Sequence, residues 1–206
     1  MITIFNFNYE FMEKTLVIVK PDGVQRGLVG EVLARFERVG LKIVAMKMTW
    51  PDAKQVEKHY TTDPEWMRKA GEKTIATQKG RGITPMFEDP VEYGKFILGK
   101  LIKYISVGPV VAFILEGNCA VDIVRKIAGN TEPYSAPAGT IRGDYCIETY
   151  KLADTAERAV RNIVHASGSP EEAEKEIPVW FDKKEIIEYN RAMDRVLYDT
   201  DWDFVK

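Results

Sequence analysis

The chain has few residues of the types that hold disulfides or metals. Among its 206 residues it has two cysteines, Cys119 and Cys146, and two histidines, His59 and His165. Two cysteines provide neither a disulfide framework nor a zinc cluster, so we expect a reducing, cytoplasmic setting. No apolar run reaches the roughly 18 residues that a membrane-spanning helix needs, and the N-terminus lacks the basic start of a signal peptide. We therefore predict an intracellular protein without a membrane partner.

Positive charge is not in excess either. Twenty-nine Lys and Arg stand against 31 Asp and Glu, a formal net charge of −2. This balance, together with the lack of paired aromatics on central strands, argues against an RNA-binding sandwich and against a nucleic-acid partner in general. The chain also lacks the Walker A and G-x-G-x-x-G patterns, so phosphate is not bound in either of those ways.

What the chain does contain is enough apolar sequence for one domain, since 45% of its residues are hydrophobic. Residues 2–11 alternate aromatic and polar side chains, which predicts a strand that pairs with a sheet edge or packs between subunits. Apolar runs predict further strands at residues 16–19, 41–50 and 110–115 and in the segment around His165. Amphipathic patterns predict helices at residues 27–40, 52–60, 91–104 and 121–128.

The remaining segments are less regular. Residues 61–89 are charged and turn-rich, and we interpret them as an insertion on the surface. Residues 130–144 have the composition of a loop, and ordered loops of this length usually serve a site. Apolar residues from Trp180 to Val196 predict a C-terminal helix. The element order favours an α+β fold, a ferredoxin-like βαββαβ sandwich with a four-stranded antiparallel sheet and surface helices.

Two residues stand out as candidates for chemistry. His165 precedes Ser169 and Pro170, which predict the N-cap and first residue of a helix, so we expect it on a short, tight connection. Histidine suits a nucleophile or proton carrier near neutral pH, although a lone histidine is more often a structural residue. Lys20 ends a buried strand just before Pro21, and a surface lysine at a turn remains the alternative reading.

Five motifs occur in a characteristic order over most of residues 14–182. They are residues 15–27 (TLVIVKPDGVQRG), 108–112 (GPVVA), 139–144 (GTIRGD), 162–167 (NIVHAS), and 173–177 (AEKEI) followed by Trp180-Phe181. Taken together, the chain resembles the nucleoside diphosphate kinase family. The resemblance implies a ping-pong reaction in which His165 takes the γ-phosphate of a nucleoside triphosphate and passes it to a nucleoside diphosphate.

The resemblance also assigns residues to this reaction. Lys20, Arg125 and Arg142 would supply positive charge to the phosphates, and Glu176 with Ser167 would orient the imidazole. Tyr60 and Thr131 would add hydroxyl hydrogen bonds near the phosphates, and Lys20 with Asn162 would contact the ribose. The base would be held by stacking against Leu101, with Phe96, Ile97 and Trp66 as alternatives. Magnesium (Mg2+) would be held mainly by the substrate phosphates.

The chain departs from the family pattern at several places. Gly168 replaces an acid, so a cap or a water-mediated metal contact from that side chain is lost. We predict a single domain over residues 1–206, with an N-terminal extension at 1–13 and insertions at about 61–89 and 145–158. The family implies a homo-oligomer, with a hexamer favoured over a tetramer. A non-catalytic nucleotide-binding or scaffolding relative, its cleft covered by the insertions, is the alternative function.

Overall fold

The computed structural model describes residues 12–61, 63 and 65–198. The aromatic strand predicted for residues 2–11 lies outside these residues. Four strands form one sheet: β1 (Met12–Val19), β2 (Lys42–Thr49), β3 (Val110–Asn118) and β4 (Val164–Ala166). The helices are α1 (Pro21–Gln25), α2 (Val29–Glu37), α3 (Ala53–Tyr60), α4 (Trp66–Gly80), α5 (Pro90–Ser106), α6 (Ala120–Ala128), α7 (Ile141–Tyr145), α8 (Tyr150–Thr155), α9 (Pro170–Trp180) and α10 (Ala192–Tyr198). None of the helices in this described part is long and apolar enough to cross a membrane.

The strand order in the sheet is β2-β3-β1-β4, and each neighbouring pair is antiparallel. This is the strand order of a ferredoxin-like sandwich, so the predicted α+β fold class is confirmed. Strand β1 lies inside the sheet between β3 and β4, which explains why the apolar run of residues 16–19 is continuous. Its alternate side chains point to opposite faces, and helices cover both faces.

Each face of the sheet has its own hydrophobic core. Val17 and Val19 of β1 point to one face, where they contact helices α2 and α6. Leu16 and Ile18 point to the other, where they contact α3, α5 and α9. All four β1 side chains are fully buried. Burial of each such side chain is worth roughly 1.5–3 kcal/mol, so the strand that ends at the candidate site is firmly anchored.

Helix α4 is the main element that the sequence did not reveal. It occupies part of the segment interpreted as turn-rich, and it packs along α5. The two helices approach through glycines: a Cβ on Gly71 would lie 1.9 Å from the Pro90 carbonyl oxygen, and a Cβ on Gly94 would lie 2.0 Å from that of Met67. The contact between backbones replaces the apolar stripe by which a helix is usually recognised.

Two further predictions need correction. The segment predicted as a loop at 130–144 contains a 3-10 turn at Pro133–Ser135 and most of α7. The C-terminal helix does not run from Trp180 to Val196, because helix α10 begins only at Ala192. Before it, the chain hydrogen-bonds to β2, where Ile187 N donates to the Val44 carbonyl at 2.8 Å. Bonding to this strand satisfies backbone groups that a helix would otherwise satisfy internally.

Candidate active site

A strained turn precedes the strand that carries His165. The backbone N–H of Val164 donates to the carbonyl of Asn162 at 2.7 Å and closes a three-residue γ-turn around Ile163. The φ angle of Ile163 is 66°, a left-handed value that a β-branched residue rarely adopts. Such strain persists only where surrounding contacts hold it, and it is common at active sites. The turn leads into β4, where His165 lies opposite Ile18 of β1.

The prediction for the connection is partly corrected. His165 lies within β4, because this short strand pairs with β1, and the connection to α9 follows it. The start of α9 is as expected: Pro170 is the first helical residue, and the Ser169 side chain accepts a hydrogen bond from Glu172 N at 3.2 Å. The helix then passes over the end of β4 and carries Glu176 to the His165 ring.

Glu176 is hydrogen-bonded to two neighbours through one oxygen. Its Oε2 is 2.9 Å from His165 Nε2, and the Ser167 hydroxyl donates to the same oxygen at 2.6 Å. Burial alone would raise the pKa of the Glu176 carboxyl, but the charge and hydrogen bond of His165 lower this pKa to about 2. An ionised carboxylate can only accept, so the proton of the pair is on His165 Nε2. The lone pair of a neutral His165 is then on Nδ1.

Aromatic rings form a small pocket beside the His165 ring. His59, Tyr60 and Trp66 line it, and its volume is about 190 Å³. The Tyr60 ring lies 6.4 Å from that of His165 and 5.1 Å from that of Trp66. Two acids, Asp63 and Glu172, line the pocket as well. The structure therefore places Tyr60, one of the predicted site residues, beside His165, the predicted nucleophile.

A larger cavity of about 530 Å³ lies next to the end of β4 and is lined by Ala166. It brings together three of the predicted residues, Arg125, Thr131 and Arg142, from three separate segments of the chain. Its further cations are Lys73 of α4 and Lys126, and the residue after His165, Ala166, also lines it. Several cations around one concave surface are what a polyphosphate requires.

Arg142 is held firmly in this cavity wall. Its NH1 donates to the Gly129 carbonyl at 2.6 Å and its NH2 to the Val164 carbonyl at 2.8 Å. Burial lowers the pKa of its guanidinium to about 10, which still leaves Arg142 charged at neutral pH. These bonds tie β4 to the end of α6, so Arg142 links the strand of the histidine to the cation cavity.

Lys20 and Asn162 form a buried, hydrogen-bonded pair. The Lys20 ammonium donates to Asn162 Oδ1 at 2.7 Å, and the Asn162 amide donates to the Thr131 carbonyl at 2.8 Å. Burial, with Arg142 adding to it, lowers the pKa of Lys20 to about 7. Lys20 is therefore partly neutral near pH 7, and a bound anion would favour its protonated, positively charged form.

Comparison with known proteins agrees with this geometry. The family model described as nucleoside diphosphate kinase matches residues 13–69 and 90–186, which include every site residue discussed so far except Lys73. The chain belongs to the nucleoside diphosphate kinase family. It is 51% identical to the nucleoside diphosphate kinase of Pyrobaculum aerophilum, over 86% of this chain and 99% of that protein. It is 44% identical to that of Pyrococcus furiosus, over 89% and 91%.

Solved structures of the family have the same fold. The NDP kinase of Pyrobaculum aerophilum aligns with a TM-score of 0.82 and 49% identity, over 86% of this chain and all of that one. The nucleoside-diphosphate kinase of Borrelia burgdorferi, a transition-state mimic with bound vanadate and ADP, aligns with a TM-score of 0.75 and 38% identity. That alignment covers 90% of this chain and 96% of the other.

Leu101, the residue predicted to hold the base, does not line either cavity. It is half-buried on α5. Among the alternatives, Trp66 lines the His165 pocket, whereas Phe96 packs in a separate aromatic cluster with Phe87 and Tyr93. Ile97 is half-buried on α5, like Leu101. The geometry thus favours Trp66 among these predictions for the base.

Gly168, where the chain departs from the family pattern, lies against the carboxylate of Glu172. Glu172 Oε2 accepts a hydrogen bond from the backbone N–H of Gly168 at 2.8 Å. A Cβ on Gly168 would lie only 2.4 Å from this oxygen. The carboxylate of Glu172, one turn into α9, therefore occupies the space that a side chain at position 168 would enter.

Sequence reasoning assigned no role to His59, which is 1% exposed. Its ring lies edge-on to that of His165, with centroids 4.4 Å apart and an interplanar angle of 83°. Its Nδ1 accepts a hydrogen bond from the Trp180 indole at 3.2 Å. The sequence offered one signal for these two residues: His59 precedes the predicted site residue Tyr60, and Trp180 belongs to one of the family motifs. Their hydrogen bond could not be predicted from this, because 121 residues separate them.

Among the described residues, His59, His165 and Glu176 form one group with potential metal ligands within 4.8 Å of one another. The bond from Trp180 argues against a metal there. An indole N–H can only donate, so His59 Nδ1 must accept and its proton is on Nε2, the atom that would face the metal. Nitrogen ligands also suit magnesium poorly, since this ion prefers oxygen.

Proposed function

We propose that the chain transfers the γ-phosphate of a nucleoside triphosphate to a nucleoside diphosphate, with His165 as the phosphoryl carrier. The single observation that carries the proposal is the hydrogen bond from His165 Nε2 to an ionised Glu176, because it leaves the Nδ1 lone pair for attack. The family relationship supports the same reaction. So does the transition-state mimic of the Borrelia relative, which contains vanadate and ADP.

In the first half-reaction, His165 Nδ1 attacks the γ-phosphorus. A nitrogen–phosphorus bond forms as the bond to the bridging oxygen breaks, and the electron pair of that bond leaves on the diphosphate. In the second half-reaction, a terminal oxygen of another nucleoside diphosphate attacks the phosphohistidine and restores the imidazole. Each step is a single displacement with no acid or base consumed overall, so catalysis depends mainly on position and charge.

The reaction also requires positive charge around the transferred phosphoryl group. Phosphoryl transfer spreads negative charge over the equatorial oxygens, and preorganised cations stabilise that charge. Arg125 and Arg142 would bind phosphate oxygens from the cation cavity, and Tyr60 and Thr131 would add hydroxyl hydrogen bonds. Lys20, with Asn162, would reach the ribose or the phosphates. Magnesium enters as part of the nucleotide substrate, since phosphate oxygens and water satisfy its preference for oxygen ligands.

Glu176 and Ser167 position the nucleophile. The carboxylate holds the proton on His165 Nε2 and stabilises the positive imidazole that forms when Nδ1 takes the phosphoryl group. The Ser167 hydroxyl fixes the carboxylate through the same oxygen, and Leu16 N donates to that hydroxyl at 3.3 Å. The orientation of the His165 ring therefore depends, through Glu176 and Ser167, on the buried strand β1.

A homo-oligomer, with a hexamer favoured over a tetramer, is part of the proposal. Strand β2 pairs only with β3 among the described strands, and it exposes Met46, Met48 and, just beyond it, Trp50. Exposed apolar residues at a sheet edge suit a contact between copies. Sedimentation equilibrium measures the assembly directly. We also propose that the protein acts on free nucleotides in the cytoplasm. This location agrees with the exposed free thiol of Cys119.

Initial-rate kinetics test the reaction. With ATP varied at several fixed concentrations of a second nucleoside diphosphate, a phosphoenzyme route predicts parallel double-reciprocal lines. Intersecting lines would require both nucleotides to bind together and would overturn the ping-pong scheme. Nucleotide binding without any transfer would favour the alternative of a non-catalytic relative.

A further inference from the structure

His59 occupies the space behind the nucleophile. It lies in the last turn of α3, with its ring in edge contact with the rings of both His165 and Tyr60. The ring of Trp180 on α9 also packs against His59, with the two ring centroids 5.8 Å apart. Helices α3 and α9 thus meet at His59, and this residue touches the nucleophile without reaching into the cation cavity.

The protonation state of His59 follows from its partners. Trp180 Nε1–H can only donate, so His59 Nδ1 is the acceptor and the proton of the neutral ring is on Nε2. Burial, together with the charge of His165, lowers the pKa of His59 to about 3, so the ring is neutral at physiological pH. The Nε2 atom lies 3.9 Å from Glu176 Oε1, the carboxylate oxygen that His165 and Ser167 do not use.

We infer that His59 is a positioning residue for phosphoryl transfer, in which Trp180 fixes its tautomer so that a neutral N–H dipole faces the second oxygen of Glu176. The inference rests on the proposed function. At 3.9 Å this contact is longer than a hydrogen bond, but the N–H dipole favours one orientation of the Glu176 carboxylate and hence of the His165 ring. The neutrality of His59 matters as well, because a second cation beside phosphorylated His165 would oppose the reaction.

Two substitutions separate the two ends of the His59 ring. His59→Asn retains an acceptor near the position of Nδ1 for Trp180 but lacks the donor toward Glu176. His59→Gln extends its amide toward the position of Nε2 and retains that donor. The measurement is the single-turnover rate of His165 phosphorylation by magnesium ATP, with KM for the nucleotides and the unfolding midpoint recorded for each variant.

The expected result is a rate about 10- to 100-fold lower in His59→Asn, with substantial recovery in His59→Gln, as for other residues that orient a reacting group. KM should change little, because His59 is almost fully buried and offers little surface to a nucleotide. A native rate in His59→Asn would overturn the inference. An equal loss in both variants would overturn it too, since the ring and not its N–H would then matter.

A further variant and one spectrum keep the test decisive if the His59 variants fail to fold. Trp180→Phe removes the indole donor and frees the His59 tautomer, so it should also slow phosphorylation; a native rate contradicts the inference. Imidazole ¹⁵N spectra of the unaltered protein contain signals from two histidines only. A His59 proton on Nδ1 would refute the assignment even if phosphotransfer were intact, whereas failure of the unaltered protein to form phosphohistidine would refute the proposed function.

Discussion

Asp22 holds Ile163 in its strained conformation. Its Oδ2 accepts a hydrogen bond from the Ile163 N–H at 3.2 Å, while its Oδ1 accepts one from the Tyr104 hydroxyl at 2.6 Å. The Lys20 N–H secures the other side of the same residue by donating to the Ile163 carbonyl at 2.7 Å. The turn that precedes His165 is thus held by Lys20 at the end of β1 and by Asp22 of α1, which Tyr104 of α5 orients, and not by its own sequence.

Removing this anchor should destabilise the protein. Asp22→Ala removes two charge-assisted hydrogen bonds, so we expect a loss of about 3 kcal/mol in the free energy of unfolding. Tyr104→Phe keeps the bond to Ile163 but removes the other, together with the bond that its hydroxyl accepts from Asn162 N at 3.3 Å, so it should cost about 2 kcal/mol. Urea unfolding measures both values. A loss in Tyr104→Phe as large as that in Asp22→Ala would contradict a contribution of the bond to Ile163.

The pKa of Lys20 predicts that nucleotide binding takes up a proton. With a pKa of about 7, Lys20 is mostly neutral at pH 8, and a bound phosphate favours its charged form. Uptake should therefore approach one proton per site at pH 8 and fall toward zero at pH 6, where Lys20 is already charged. Titration calorimetry of magnesium ADP in buffers of different ionisation enthalpy measures it. Uptake that persists in Lys20→Met would assign it to another group.

One basic residue of helix α4, Lys73, is placed to bind the phosphates. Arg68, Lys69 and Arg81 form ion pairs with Glu65, Asp63 and Glu132, respectively. Lys73 lines the cation cavity. Lys73→Ala should therefore raise KM for nucleotides about 5-fold, the equivalent of about 1 kcal/mol for a partly exposed charge contact.

Lys79→Ala is the matched control for this prediction. Lys79 is exposed on the same helix and does not line the cavity, so its removal should leave KM unchanged. Steady-state kinetics with two different nucleotides measures both variants. If Lys73→Ala behaves like Lys79→Ala, helix α4 contributes no charge to substrate binding.

The approach of α4 to α5 predicts opposite effects for two glycines on α5. Gly94→Ala places a Cβ against the Met67 carbonyl oxygen and should cost about 1–3 kcal/mol, as overpacking does. Gly99 has no atom within 4 Å of the corresponding position, so Gly99→Ala should stabilise the helix by about 0.5–1 kcal/mol. Thermal unfolding distinguishes them. A stabilised Gly94→Ala would contradict the close packing of the two helices.

The parts of the fold that the sequence predicted have local signals. The apolar run that ends at Lys20 predicted β1, and Ser169 with Pro170 predicted the start of α9. The relation of His165 to Glu176 followed from the motifs of the family, and the structure brings both side chains to one hydrogen bond. These features depend on residues close in sequence or on a pattern that the whole family shares.

The parts that could not be predicted depend on distant contacts. Helix α4 packs through Gly71 and Gly94, and nothing in its own sequence shows an apolar face for α5. Ile163 adopts a left-handed conformation that its β-branched side chain disfavours, because Asp22 holds it from 141 residues away. The tautomer of His59 depends on a hydrogen bond from Trp180, 121 residues away, which no local sequence pattern indicates.

The central claim is that His165 carries the phosphoryl group, and isolation of the phosphoenzyme tests it most directly. The protein and His165→Ala are mixed with magnesium and γ-labelled ATP, freed of nucleotide, and then exposed to GDP. The account predicts acid-labile, base-stable label on the unaltered chain only, and its release by GDP as labelled GTP. Label that persists in His165→Ala, or label on the unaltered chain that GDP cannot remove, would contradict the account.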